Sequence, residues 1–388
     1  MSKHSSLSLR PLHCAISLAA ALSTAALLTA TVSGSALAEN SAPSELKDIR
    51  LPQGFEIEVY LDNVANARQM ALGSQGTLFI GSRGEGKVYA AIDTDADGRH
   101  DKVKVIAYGL NMPSGLAFRD QTLYVGAVSQ ILAFDNIEQQ LSQSASPSYR
   151  IFYDDLPTDK HHGWKYLKFA ADGRLYIPIG APCNICDAGS DYSKIISLDL
   201  QSKQPRLEAA GVRNSVGFDF DPVSGQLWFT DNGRDMMGDD MPADELNHLS
   251  QRGQHFGYPY VHQGDTLDPE FGKGKQPADF SPPEVKLGAH VAALGMTFYH
   301  GDSFPKAYHG GIFIAEHGSW NRSSKVGYRV RFVPIKQGKA GEPQVFAEGW
   351  LKGETVSGRP ADVLQLPDGS LLIADDAQGR LYRIFYSG

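Results

Sequence analysis

Residues 217–233 read GFDFDPVSGQLWFTDNG. Phe218 and Phe220 alternate with aspartates, the run from Pro222 to Gly225 supplies a tight turn, and Leu227, Trp228 and Phe229 form a second apolar run. Thr230 to Gly233 then break into a polar loop. Aromatic and β-branched residues favour strands, and Asp, Asn, Gly and Pro favour turns, so the stretch predicts strand, turn, strand, exposed loop. Its turn joins two strands directly, which makes the pair antiparallel.

The same grammar recurs outward in both directions. FEIEVY (55–60), TLFIGSR (77–83), TLYVGAV (122–128), LKFAADGRLYIPIG (167–180), GGIFIAEHG (310–318) and VLQLPDGSLLIADD (363–376) repeat it with variations. Strand-turn-strand units open near Gln69, Pro113, Tyr166, Val216, Leu294 and Asp362. Six repeats of one sheet unit predict an all-β chain, a six-bladed β-propeller of four-stranded antiparallel sheets. A sandwich needs fewer strands, and a βαβ fold needs apolar helices that the sequence lacks. Two insertions interrupt the repeat, a polar one at 138–148 and a longer one at 235–283, rich in Gly, Pro, Asp and His. The second predicts a wall on the binding face, with a helical turn near 247–250.

The 388 residues begin with Lys3 and Arg10, an interrupted apolar run over 12–32, and Ala36-Leu37-Ala38. That pattern predicts a secretory signal over 1–38, with a retained anchor as the alternative. A flexible lead-in over 39–50 and a single propeller domain over 51–388, with long top-face loops, are expected to follow. The predicted destination is the periplasm or the medium. With 36 Lys and Arg against 44 Asp and Glu the formal charge is -8, and no basic tract suits nucleic acid. No later apolar run is long enough for a membrane helix. Cys14 falls in the presumed signal, leaving Cys183 and Cys186. A loop disulfide, a redox dithiol and a metal pair all use this spacing. No CxxCH haem attachment sequence is present.

Several clusters carry possible chemistry. Asp93, Asp95, Asp97 and Asp101 occupy positions 1, 3, 5 and 9 of a calcium-like loop, with Lys104 where a bidentate acid is usual; a solvated acidic turn is the alternative. His161 and His162 offer an imidazole to accept a proton near neutrality. Arg213 and Asn214 could hold an anion or stabilise developing negative charge, or make a salt bridge and a turn. The strand-end clusters 317–322 and 358–362 suit either a pocket lining or stitching between blades. No dinucleotide fingerprint, phosphate loop, nucleophile elbow or HExxH motif occurs.

Taken in order, KYLKFAADGRLYIPIGAPCNIC (165–186), RNSVGFDFDPVSGQLWFTDNGRD (213–235), GDDMPADELN (238–247), LGMTFY (294–299), FIAEHGSWNR (313–322) and RPADVLQLPDGSLLIADD (359–376) resemble the soluble pyrroloquinoline quinone (PQQ)-dependent glucose/sorbosone dehydrogenases, especially the L-sorbosone dehydrogenase-like branch. The resemblance spans 51–386. It implies a six-bladed propeller, PQQ and Ca²⁺ as cofactors, and oxidation of an aldose or sugar aldehyde by hydride transfer, with an external electron acceptor. By the same resemblance His161 is the base, with His162 as fallback, and Arg213 lies near the quinone carbonyl beside the cofactor-contacting Asn214. The Gly233 and Arg234 carbonyls would coordinate Ca²⁺, with Asp240 in an outer shell. Arg359 would hold cofactor carboxylates. Ala361 replaces the second arginine of the glucose-enzyme pattern, and His317 or Arg322 would compensate for its usual lysine, with Trp320 packing on the planar ring. A calcium-dependent propeller hydrolase or lactonase and a non-catalytic carbohydrate-binding propeller are the alternatives.

Overall fold

Each expected hairpin unit opens a four-stranded antiparallel sheet in the computed structural model, which describes residues 44–143 and 146–388. The first blade runs from Ala67–Leu72 to Lys102–Ala107, and the second from Gly115–Arg119 to Arg150–Tyr153. The third runs from Lys168–Phe169 to Pro205–Ala210. The fourth begins at Gly217–Phe220, continues through Leu227–Asp231 and Ala243–Leu249, and ends at Val285–Ala289. The fifth runs from Ala293–Phe298 to Gln344–Ala347. The sixth joins Pro360–Gln365, Leu371–Asp375 and Arg380–Tyr386 to an outermost strand, Phe55–Leu61, from the other end of the chain. Phe55 pairs with Tyr386 and Glu58 with Arg383, so this strand completes the last blade and closes the ring. The protein is a six-bladed β-propeller.

Hydrophobic residues from facing blades fill the gaps between them. Between the fifth and sixth blades, Phe55 packs edge-on against Phe304 and Phe346, while Phe313, Trp350 and Tyr382 complete the cluster. Each fully buried ring of this kind contributes roughly 1.5–3 kcal/mol. Leu46, within the 3₁₀ turn Ser44–Asp48, is buried in the same cluster, and Arg50 bridges to Glu348. The described part of the lead-in is therefore docked on the propeller. The signal expected over 1–38 lies outside the described residues.

Two local expectations change. The helical turn near 247–250 is instead the end of strand Ala243–Leu249, which pairs with Leu227–Asp231 and buries Leu246 on one face of the sheet and Leu249 on the other. The polar insertion 138–148 carries the helix Ile137–Gln143, and Glu138 is buried beneath it. The carboxylate of Glu138 accepts the N–H of Gln75 at 3.0 Å and the hydroxyl of Ser74 at 2.9 Å, which ties the helix to the first blade.

The innermost strands of neighbouring blades touch around the axis. Polar side chains stitch them: Gln69 Oε1 accepts the N–H groups of Leu116 and Leu167, each at 2.8 Å, and Asp362 Oδ2 accepts that of Met70 at 2.8 Å. Because paired strands run antiparallel, the start of each innermost strand and the end of the next strand lie at the same face. Loops at those two places from all six blades therefore converge on one mouth.

Candidate functional site

A cavity of about 570 Å³ opens at that mouth, within the usual size range of ligand pockets. Its lining follows the two-place rule. Arg68, Trp164, Arg213, Asn214 and Arg359 sit at or just before innermost strands. Arg83, Asn232, Gly233 and His317 follow second strands. Five cationic side chains (Arg68, Arg83, Lys160, Arg213, Arg359) face two carboxylates (Asp235, Asp244), although the chain as a whole is acidic. The surplus marks a receptor for an anion.

His162 and His161 both line the cavity, with ring centroids 4.1 Å apart, but their settings differ. His161 is exposed, whereas His162 is buried and its Nδ1 lies 2.9 Å from the carbonyl oxygen of Ala181. A carbonyl only accepts, so Nδ1 carries the proton and Nε2 keeps its lone pair. Burial, then the charge of Arg213, hold the His162 pKa well below 6.5. The backbone of His162 has φ of 48°, a left-handed conformation costly for this residue type. It is held there from behind, where Gly180 leaves no room to spare: a Cβ on Gly180 would meet the His162 Cβ at 2.6 Å and its carbonyl oxygen at 2.8 Å. Gly180→Ala is therefore expected to lower stability by about 1–3 kcal/mol and to displace His162. Thermal denaturation, with the His162 ring resonance followed by NMR, checks both effects.

Arg213 is almost fully sequestered. Asp231, at the end of the second strand, fixes the turn by accepting the N–H groups of Arg213 at 2.8 Å and Asn214 at 2.6 Å. Gly233 N–H donates to Asp244 Oδ1 at 2.8 Å, and Ala292 N–H to Asp244 Oδ2 at 2.6 Å. Burial pushes the Asp244 carboxyl up to about 7 despite those two donors. Gly233 has no substitute here, since a Cβ would stand 2.8 Å from the Pro242 ring. No donor among the described residues reaches the carbonyl oxygens of Gly233 or Arg234. Two such uncommitted carbonyls beside a buried carboxyl fit a hard cation.

On the opposite wall Arg359 donates to the carbonyls of His317 at 3.0 Å and Gly318 at 2.8 Å. Asp376 bridges Arg68 at 2.7 Å and His317 Nε2 at 2.8 Å. Burial opposes its ionisation, but Arg68 and His317 hold Asp376 well below the usual carboxylate range. Burial lowers His317 to about 4, so it stays neutral with its Nε2 proton committed to Asp376. Arg83 has no ion-pair partner among the described residues; its guanidinium lies 4.1 Å from the Trp164 ring centre. The Nε of Arg68 and the Nε1 of Trp164 are buried donors with no acceptor among the described residues. Orphaned donors cost roughly 1–3 kcal/mol each, and both belong to side chains of the cavity wall, where the surplus of arginines fits an anionic ligand.

Of the residues expected from sequence, His161, Arg213, Asn214, Gly233, His317 and Arg359 line the cavity, and His162 joins them. Arg322 and Asp240 do not: they pair with each other at 3.1 Å, and the Asp240 side chain is 87% exposed. The Arg234 side chain turns away to Asp268 at 2.5 Å. The Asp93, Asp95 and Asp97 carboxylates lie within 4.8 Å of one another in an exposed turn outside the cavity, while Asp101 accepts from Thr94. Arg68, Arg83, Trp164 and His290 were not anticipated as site residues. Applying the two-place rule to the first blade would have found both of its arginines.

A family model described as a domain of unknown function, DUF7133, matches residues 41–378. An uncharacterized protein of Borreliella burgdorferi is 36% identical over 352 residues, covering 87% of this chain and 91% of that protein. The aldose sugar dehydrogenase YliI of Escherichia coli is 23% identical over 283 residues, covering 67% of this chain and 69% of that protein. Among solved structures, the holo form of the pyranose dehydrogenase PQQ domain from Coprinopsis cinerea superposes with a TM-score of 0.74 at 19% identity. That match covers 89% of this chain and 98% of the other, and it shows the shared propeller.

Proposed function

The chain belongs to the DUF7133 family, and we propose that it is a PQQ-dependent dehydrogenase oxidising an aldose or sugar aldehyde, with a sorbosone-like substrate. The observation that carries the reading is the cavity itself: an arginine-lined mouth shared with an imidazole whose Nε2 is held unprotonated. Its likeness to an aldose sugar dehydrogenase and to the PQQ domain of a pyranose dehydrogenase supports the same reading.

Arg359, Arg68 and Arg83 would hold the carboxylates of the quinone, and Trp164 and Trp320 offer flat apolar surface beside them. The carbonyls of Gly233 and Arg234 would hold Ca²⁺. When bound, the quinone supplies the two-electron acceptor for the hydride, and the cation polarises its carbonyl. The protein's part is positioning and proton handling. His162, named above as the fallback, is the better placed base: its Nε2 accepts the proton of the sugar hydroxyl, and the Ala181 carbonyl stabilises the imidazolium through Nδ1. Arg213 presents a fixed guanidinium toward developing negative charge. Export to the periplasm or medium belongs to the proposal, since the Cys183–Cys186 disulfide suits an oxidising compartment. Reoxidation is left to an external acceptor. Among the described residues no helix is long and apolar enough to cross a membrane.

The test is titration of the purified protein with PQQ and Ca²⁺, coupled to reduction of an artificial acceptor by L-sorbosone, glucose and other aldoses. Saturable quinone binding with sugar-dependent reduction is expected. Folded protein that shows neither overturns the reading. Lactone hydrolysis without an acceptor would favour the hydrolase, and sugar binding without turnover the lectin-like propeller. Histidine NMR provides a separate check on the base. On lowering the pH of the quinone-free protein, the His162 ring is expected to stay neutral through 6.5, because burial depresses its pKa, and to protonate only below. Titration at or above that pH would remove the argument for it.

A further inference from the structure

We propose that Asn184, held inside the short ring closed by the Cys183–Cys186 disulfide, is a positioning residue that aims Arg213 into the cavity. The proposal rests on the functional reading above for its catalytic consequence, but its geometry is independent of it. The Asn184 carbonyl accepts Arg213 Nε–H at 2.8 Å, and its Oδ1 accepts from Nη2 at 2.8 Å. The same amide locks onto the neighbouring loop: Oδ1 accepts the N–H of Asp235 at 2.8 Å, and Nδ2 donates to the Asp235 carbonyl at 3.0 Å. Asp235 in turn places a carboxylate oxygen 3.4 Å from Nη2, and the Asn232 carbonyl accepts from Nη1 at 3.1 Å. A guanidinium has five N–H groups in a fixed fork. Four are thus committed, and one, on Nη1, is left to meet a ligand.

The disulfide explains how a loop residue can hold this geometry. Its two sulfurs close the chain on either side of Asn184 and Ile185, and the Tyr258 hydroxyl accepts the N–H of Cys186 at 3.1 Å. The segment also serves the second reacting group. Just before Pro182, Ala181 donates its N–H to the Arg213 carbonyl at 2.8 Å and accepts from His162 through its own carbonyl. One short stretch, 181–186, therefore fixes both His162 and Arg213. Supporting groups of this kind matter because a misplacement of about 1 Å can cost on the order of 100-fold in rate.

The experiment compares wild type, Asn184→Ala, Asn184→Asp and the double variant Cys183→Ser/Cys186→Ser, all as full-length protein. The first readout needs no cofactor: modification of Arg213 by phenylglyoxal, followed by mass spectrometry with Arg359 as internal reference. Slow modification is expected in wild type, roughly tenfold faster modification in Asn184→Ala and the double variant, and an intermediate rate in Asn184→Asp, which keeps the Oδ1 acceptor for Arg213 but loses the Nδ2 donor to the Asp235 carbonyl. The second readout is steady-state kinetics: kcat falls by about tenfold or more in the first two variants while KM and quinone affinity change little. Unaltered Arg213 protection and kcat in folded Asn184→Ala, as judged by thermal midpoint, would overturn the proposal. Faster labelling in the variants, beside a wild-type protein that never turns over a sugar, would leave the clamp standing and sink the dehydrogenase reading instead.

Discussion

His162→Ala is expected to lower sugar-dependent turnover by roughly 10²–10⁴-fold, the usual worth of a positioned general base, while the quinone still binds. The expectation follows from what each nitrogen of the ring does. Nδ1 is committed to Ala181 and Nε2 is the lone acceptor, in a ring that burial and Arg213 keep neutral. The strained φ at His162 and the tight seat against Gly180 show that this orientation is imposed by its surroundings. His161→Ala should cost far less, because that ring is exposed and no hydrogen bond fixes either of its nitrogens among the described residues. Stopped-flow kinetics on both variants, with quinone binding followed in parallel, decides the point. A severe loss in His161→Ala beside a mild one in His162→Ala would reverse the assignment.

The sequence pattern carried the fold further than the site. All six innermost strands begin within a few residues of the predicted openings, because hairpin turns and alternation are local signals. The closing strand Phe55–Leu61 was legible as a strand but not as a partner of Arg380–Tyr386, since ring closure is a contact across the whole chain. The site divides in the same way. Arg213, Asn214, Gly233 and Arg359 stand in stretches with a recognisable family pattern, and all reach the cavity. Arg322 and Asp240 stand in such stretches too, yet they satisfy each other at the rim. Pairing between residues so far apart in sequence cannot be read from either segment alone. His161 and His162 are adjacent, and what distinguishes them, burial, the seat against Gly180 and the Ala181 carbonyl, comes from a segment almost twenty residues further on.

Arg83→Ala is expected to weaken quinone affinity by roughly 10–100-fold, the equivalent of one charge-assisted hydrogen bond, with little loss of thermal stability. Ala361 leaves the sixth blade one arginine short of the glucose-enzyme pattern, and the two residues expected to compensate for that pattern's lysine bring no cation to the cavity. His317 is neutral, and Arg322 faces away. The first blade supplies the charge instead, through Arg68 and Arg83. Of these, Arg83 is the cleaner probe. Removing Arg68 would strip Asp376 of a buried counter-ion at 2.7 Å and destabilise the fold, confusing affinity with folding. Removing Arg83 abandons no carboxylate partner, only a stacking contact with Trp164. Arg83→Lys should recover part of the affinity but not all of it, because an ammonium keeps the charge while losing the planar fork that both stacks on the indole and pairs with a carboxylate. Equilibrium titration of the three proteins with PQQ at two ionic strengths measures the difference. Affinity unchanged in Arg83→Ala would mean that the quinone carboxylates are held by Arg359 and Arg68 alone, and that the stacked guanidinium serves the substrate instead.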